Sequence, residues 1–175
     1  MTLPDAEQTL AALVEKMRGA VAFDAKFVGI YSGGAWLADR LAQAIPGDHA
    51  VGYIDVSFYR DDFNRKGLKP EVKRTDLPFD VEGATIVLVD DVLYTGRSVR
   101  AAINELFDYG RPQCIELAVL VDRGGRELPV EATYTAARLA VANDLSVVLA
   151  RTADGRLVLS TEAAGGTAPT EPADA

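Results

Sequence analysis

Two adjacent acids, Asp90 and Asp91, follow the apolar run Ile86-Val87-Leu88-Val89 and precede a turn through Thr95-Gly96-Arg97-Ser98. Neighbouring carboxylates repel each other and lose solvation on burial, so their setting calls for a cation or for hydroxyl donors. Vicinal ribose hydroxyls suit, since each can donate to a carboxylate. Magnesium also suits, because it takes oxygen ligands. Backbone N–H groups over Val92, Leu93, Tyr94, Thr95, Gly96, Arg97 and Ser98 lead into a helix start. With the Thr95 and Ser98 hydroxyls they can cradle a phosphate, and Gly96 permits close approach. Diols beside a phosphate describe a ribose 5-phosphate. The bland alternative is a structural strand-to-helix turn. The glycine-rich phosphate patterns GxxxxGK(S/T) and GxGxxG are both absent. A receiver domain also carries paired acids, but near its N-terminus, whereas these follow a long polar insert.

The elements that must position these groups alternate in type. Residues 4–18 read as a packing helix, with Pro4, Asp5 and Glu7 at its start and Leu10, Leu13, Val14 and Met17 at helical spacing. Lys26–Tyr31 is a short strand broken by Ser32-Gly33-Gly34, and a helix follows over Ala35–Ile45. A small-residue loop of this kind can aim N–H groups at an anion, or it can be an ordinary connection. Val51–Phe58 is a further strand. The segment after it is long and polar, with Arg60 at its start and Arg65, Lys66, Lys69, Lys73 and Arg74 within it. A connection of that length implies a hairpin, a lid over an anionic substrate, or both. The helix after the central strand presents Val99, Ile103, Leu106 and Phe107 to the core. Cys114–Val121 is a fourth strand, followed by the charged loop 122–127. Val147–Ala150 and Arg156–Leu159 form a small hairpin around Asp154-Gly155. Residues 1–160 then make a single domain, and the small, acidic and proline-rich stretch 161–175 is expected to be disordered. Alternating strands and helices imply a parallel sheet with helices on both faces. Ligands bind beyond the carboxyl ends of such strands, where loops 32–34, 90–98 and 122–127 all fall.

Composition sets the outer limits. The chain has 175 residues, enough for one domain with a real core, and 49% of them are hydrophobic. No apolar run is long enough to span a bilayer, and MTLPDAEQTL has no basic stretch followed by an apolar one, so neither a secretory signal nor membrane association is expected and the cytoplasm is. Cys114 is the only cysteine, which excludes a disulfide framework and cysteine-based metal clusters. His49 is the only histidine, so a Ser-His-Asp hydrolase would have to use it, and its turn-like PGDHA setting favours a structural role. The net charge of −8 and pI of about 4.7 oppose non-specific binding to nucleic acid.

The stretch VLVDDVLYTGRSV resembles the thirteen-residue phosphoribosyl-pyrophosphate (PRPP) motif of type I phosphoribosyltransferases. More narrowly, DDVLYTGR, IDVSFYRDD and AVLVDRGGRELPV are similar to the bifunctional pyrimidine operon regulatory protein/uracil phosphoribosyltransferase family, over about Phe27 to Tyr134. The resemblance implies that family's fold: a parallel sheet flanked by helices, with a flexible lid or hairpin and a small hood. It implies transfer of the phosphoribosyl group from PRPP to uracil, giving UMP and pyrophosphate with Mg2+ as cofactor. Asp90 and Asp91 would hold the ribose hydroxyls, directly or indirectly with the metal, and Val92–Ser98 the 5-phosphate. Ser32, Gly33 and Gly34 would meet the pyrophosphate, with Arg60 and the basic lid covering it. Asp122, Arg123, Gly124, Gly125 and Arg126 would read the base. Two positions depart from the family pattern. An arginine usually precedes the first-loop glycine where Ser32-Gly33-Gly34 stands here, so one charge facing pyrophosphate is missing. Gly125 replaces a histidine, so base recognition is expected to be weaker or to rest on backbone groups and Arg126. The competing implication is a UMP- or PRPP-sensing regulator acting on leader RNA or by protein contact, and the acidic charge speaks against RNA. A purine-using enzyme is the runner-up within the same class. The resemblance also implies a homodimer or larger assembly.

Overall fold

The computed structural model describes residues 2–57 and 74–164. Arg60 and the basic residues 65, 66, 69 and 73 of the expected lid therefore lie outside the described residues.

Five parallel strands form the sheet: β1 (Lys26–Ile30), β2 (Val51–Ile54), β3 (Thr85–Leu93), β4 (Cys114–Asp122) and β5 (Tyr134–Arg138), in the order β2-β1-β3-β4-β5. Three helices flank it: α1 (Ala6–Met17), α2 (Gly33–Ala44) and α3 (Arg97–Tyr109). An antiparallel hairpin, β6 (Leu145–Arg151) and β7 (Leu157–Ala163), completes the fold. β3 sits at the centre because it is apolar on both faces, as a strand covered on both sides must be. Its side chains alternate, with Val87 and Val89 packing toward α1, α2 and the hairpin, and Ile86 and Leu88 toward α3. Phe27, Leu13, Leu37, Leu41 and Leu120 fill the first layer, and Ile30, Ile54, Leu93 and Leu106 the second. All nine are essentially without solvent contact. Fully burying one such side chain contributes about 1.5–3 kcal/mol.

The parallel-sheet expectation holds, with several differences of detail. β3 continues through Asp90 and Asp91 to Leu93, so the acids lie inside the strand end instead of after it. α2 starts at Gly33, two residues earlier than expected, and β2 ends at Ile54. β5 was not visible as a strand. Its sequence, YTAAR, is half-buried up to an exposed Arg138 and has no apolar run, and it forms because the edge of β4 offers a ladder to pair with. On α3 the buried face is Val99, Ala101, Ala102 and Leu106, while Phe107 is half exposed. Val99, Ala101, Ala102 and Leu106 pack into one cluster with Ile86, Leu88 and Leu117, and Phe107 lies outside it. The hairpin is longer than expected. β7 runs to Ala163 and pairs it with Leu145, so ordered chain continues past Thr161, where the tail was expected to begin.

Candidate active site

The three sheet-edge loops meet at the carboxyl ends of β1, β3 and β4. The closest approach is between α2 and β3. A Cβ on Gly33 would lie 2.5 Å from Asp91 Oδ2, and one on Gly34 would collide with the Val89 carbonyl oxygen. Only glycine lets the start of α2 rest against the acid pair. The peptide between Tyr31 and Ser32, at the head of this loop, is cis.

Asp90 is buried, and Asp91 is partly open to solvent. Each takes a hydrogen bond from the next residue: Asp91 N–H donates to Asp90 Oδ1 at 3.0 Å, and Val92 N–H to Asp91 Oδ1 at 2.9 Å. Strand alternation carries Asp90 to the α3 side and Asp91 to the α2 side, where Gly33 lies over it. Backbone donors and opposed directions together relieve the repulsion that two adjacent carboxylates would otherwise suffer.

Beyond the acids the chain turns at Gly96, whose φ of 93° requires glycine, and enters α3. The helix has no side-chain cap, and neither has α2. By contrast α1, away from this edge, is capped by Asp5, which accepts from Gln8 N–H. Arg97 N–H leans on the Thr95 hydroxyl at 3.4 Å. Among the described residues, the N–H groups of Gly96, Ser98 and Val99 have no protein acceptor. An uncapped helix start with a local positive dipole is an anion cradle. Val92 N–H, at the start of the expected cradle over Val92–Ser98, donates to Asp91.

The 122–128 loop is built differently. Asp122 is buried, accepts from Gly124 N–H at 2.9 Å, and pairs with Arg126 at 2.7 Å. Burial would raise its pKa, but the Gly124 N–H and Arg126 outweigh burial and hold it below the usual carboxylate range. Arg126 spends its other nitrogens on the carbonyls of Val130 and Tyr94, both at 2.9 Å. Arg123 is buried too, donating to the carbonyls of Leu145 at 2.7 Å and Ala142 at 3.1 Å. Its guanidinium lies 4.0 Å from the centroid of the Tyr94 ring. The loop is laced to β3–α3 as well. Arg123 N–H donates to Leu93 O, Glu127 N–H and Leu128 N–H to Thr95 O, and Arg97 pairs with Glu127 at 2.7 Å. Arg126, expected among the residues that read the base, thus has all three guanidinium nitrogens on protein acceptors. Gly124 and Gly125, at φ of 72° and 74°, complete the loop without side chains.

Two phenols near the β1 and β2 ends are held protonated. Burial, and a hydrogen bond to Asp39, push the Tyr53 phenol up to about 12, and burial also raises Tyr31. His49 lies at the opposite, amino-terminal edge of the sheet. Its Nδ1 donates to Ala25 O at 2.9 Å and its ring packs edge-on against Phe27, the structural role its turn setting suggested.

A model of the phosphoribosyl transferase domain matches residues 4–148. The bifunctional protein PyrR of Ralstonia nicotianae is 51% identical over 155 residues, spanning 86% of this chain and 88% of that protein. The chain belongs to the PyrR family of phosphoribosyl transferase domain proteins. Among solved structures, a hypoxanthine-guanine phosphoribosyltransferase from Bacillus anthracis superposes with a TM-score of 0.63 at 18% identity, covering 80% of this chain and 84% of that one. A purine phosphoribosyltransferase from Pyrococcus horikoshii gives 0.60 at 28% identity, with coverages of 79% and 85%. Among the described residues no helix is long and apolar enough to cross a membrane.

Proposed function

We propose that this PyrR-family protein is a cytoplasmic uracil phosphoribosyltransferase that forms UMP and pyrophosphate from uracil and PRPP, with a second role in regulating pyrimidine biosynthesis genes. The observation that carries the reading is the Asp90–Asp91 pair set directly before the uncapped start of α3. Under it, Asp90 and Asp91 accept from the ribose 2- and 3-hydroxyls. The 5-phosphate sits on the N–H groups of Gly96, Ser98 and Val99, with the Thr95 and Ser98 hydroxyls beside it. Gly33 and Gly34 bring the start of α2 close enough for the pyrophosphate to lie between them and Asp91. As pyrophosphate leaves, the anomeric carbon becomes electron-poor and uracil N1 attacks it. Positive charge growing on the ribose is favoured by the carboxylates beneath it, so positioning and electrostatics supply the rate. Arg60 and the basic residues of the 58–73 segment are assigned to cover the pyrophosphate and exclude water.

The donor set also bears on magnesium. Among the described residues no three potential ligands cluster to make a protein-built metal cage. Two carboxylates, each with one oxygen on a backbone N–H, suit an ion that arrives with pyrophosphate and keeps several waters. Asp90 and Asp91 would hold it, and it supplies charge that offsets the leaving pyrophosphate. A homodimer or larger assembly belongs to the same reading.

The test is an initial-rate assay with PRPP and magnesium against uracil, cytosine, hypoxanthine and guanine. UMP formation from uracil, at least 100-fold faster than nucleotide formation from either purine base, is expected. No turnover with any base alongside tight UMP binding would replace the enzyme with a nucleotide sensor.

A further inference from the structure

We propose that Tyr94 is the side chain this site offers to the nucleobase, a flat platform that exists because position 125 carries no side chain. The inference rests on the phosphoribosyl reading above and adds to it the group that meets the base.

The argument begins with what the 122–126 loop has left to give. Asp122 is buried under Gly124 N–H and Arg126. The guanidinium of Arg123 faces away into the carbonyls of Ala142 and Leu145, and that of Arg126 is divided among Asp122, Val130 and Tyr94. The remaining two residues are glycines. Of the three charged side chains only Arg123 Nε lacks a partner, and that atom is buried.

Tyr94 is open by comparison. It stands between the acid pair and Thr95, in the segment that would hold the ribose and phosphate, and the residue is 36% exposed. Its hydroxyl has no hydrogen-bond partner among the described residues. Three contacts fix the ring. Arg123 stacks on one face at 4.0 Å, Arg126 holds the Tyr94 carbonyl at 2.9 Å, and the edge of the ring lies over the bare Cα of Gly125. A Cβ at residue 125 would overlap Tyr94 Cε2 and lie 2.9 Å from Cδ2. The φ of 74° there disfavours any side chain as well. Tyr94 and Gly125 thus compete for one volume, and the aromatic ring has it. An aromatic face backed by a buried cation, beside a sugar-phosphate cradle, suits stacking against a flat heterocycle. The loss of a side chain at 125 does not leave the base side empty, because it makes room for this ring.

Calorimetric titration with UMP and with ribose 5-phosphate separates the base from the rest of the nucleotide. The wild-type chain should bind UMP more tightly than ribose 5-phosphate. Tyr94→Ala should weaken UMP by about 5- to 100-fold, the range of base–aromatic stacking, and leave ribose 5-phosphate within about 2-fold. Tyr94→Phe should keep UMP within about 3-fold, since it retains the ring. Gly125→Ala, which displaces the ring without removing it, should lose UMP selectively as Tyr94→Ala does. Thermal melting confirms that each variant is folded, and the ribose 5-phosphate titration reports an intact cradle. The platform is overturned if Tyr94→Ala leaves UMP unchanged or weakens both ligands equally. It is also overturned if Phe loses as much as Ala, or if Gly125→Ala leaves UMP binding intact. Wild-type binding of ribose 5-phosphate with no added affinity for UMP would overturn the platform and leave the phosphoribosyl reading standing. Binding of neither ligand would overturn both.

Discussion

The β3–α3 and β4–β5 connections leave the same edge of one sheet, yet they leave very different things for a ligand. After β3 the chain ends in two carboxylates that each accept one backbone N–H, a glycine turn and a helix start without a side-chain cap. After β4 the charges are already spent. Arg123 and Arg126 bind backbone carbonyls, and Asp122 is buried beneath Arg126. Both loops are rich in the residues that read as functional, but only the first ends in backbone N–H groups, those of Gly96, Ser98 and Val99, that have no protein acceptor among the described residues. The lesson is that a charged loop at a sheet edge is not by itself a binding loop. A guanidinium with five donors is as well suited to bracing carbonyls as to holding a ligand.

The comparison breaks first at Arg123. If its role is to brace the loop, Arg123→Ala should lower stability by about 3 kcal/mol, because a buried charged donor and two carbonyl contacts are lost together. Urea unfolding measures this, and a loss under 1 kcal/mol would return Arg123 to the ligand. A smaller effect is expected on the open side. Gly33→Ala puts a methyl group 2.5 Å from Asp91 Oδ2, so PRPP affinity should fall about 10-fold while the melting temperature moves by only a few degrees. Unchanged affinity would mean that α2 can step back from the acids without consequence.

The smallest effect is a control far from both loops. Glu7 holds Arg40 in a two-pronged ion pair at 2.8 and 2.7 Å and accepts from Leu157 N–H at 2.8 Å, tying α1, α2 and β7 together. Arg40 first, and then the Leu157 N–H, lower its pKa from 4.5 to about 2 against the effect of burial. A depressed carboxylate pKa stabilises the fold fully above pH 4.5, and that contribution fades as pH falls toward 2. The pair is partly exposed, so the contribution is about 1 kcal/mol after solvent screening. Glu7→Gln should therefore cost about that much at pH 7, flatten the acid limb of the stability curve, and leave PRPP binding unchanged. Thermal melts at pH 7 and pH 3 compare the two proteins.

Much of this was legible in the sequence where local pattern decides structure. The apolar runs of β1, β3 and β4, the helical spacing of α1 and the stop at Gly110 all reappear in the fold. The paired acids announced themselves by type and place. β5 did not, because a half-buried YTAAR segment has no periodicity of its own and is recruited by its neighbour. Phe107 misled because the spacing that puts Val99 and Leu106 inward also admits it, and only the packed cluster shows that it lies outside. The commitments of Arg123 could not be read locally, since its partners Ala142 and Leu145 lie some twenty residues away in sequence. The collision between position 125 and Tyr94 is likewise a contact across two loops, although the glycine itself stood out as a departure from the family pattern.

The account turns on the open side of the edge, and one assay reaches it directly: the initial rate of UMP formation from PRPP and uracil, for the wild-type chain and for Asp90→Asn/Asp91→Asn. The two substitutions keep shape and remove charge, so the melting temperature should stay within a few degrees. The rate should fall at least 1,000-fold, the order expected when charge aimed at the reacting centre is removed. A folded double variant that still makes UMP at more than a tenth of the wild-type rate would contradict the assignment of the acid pair to the ribose.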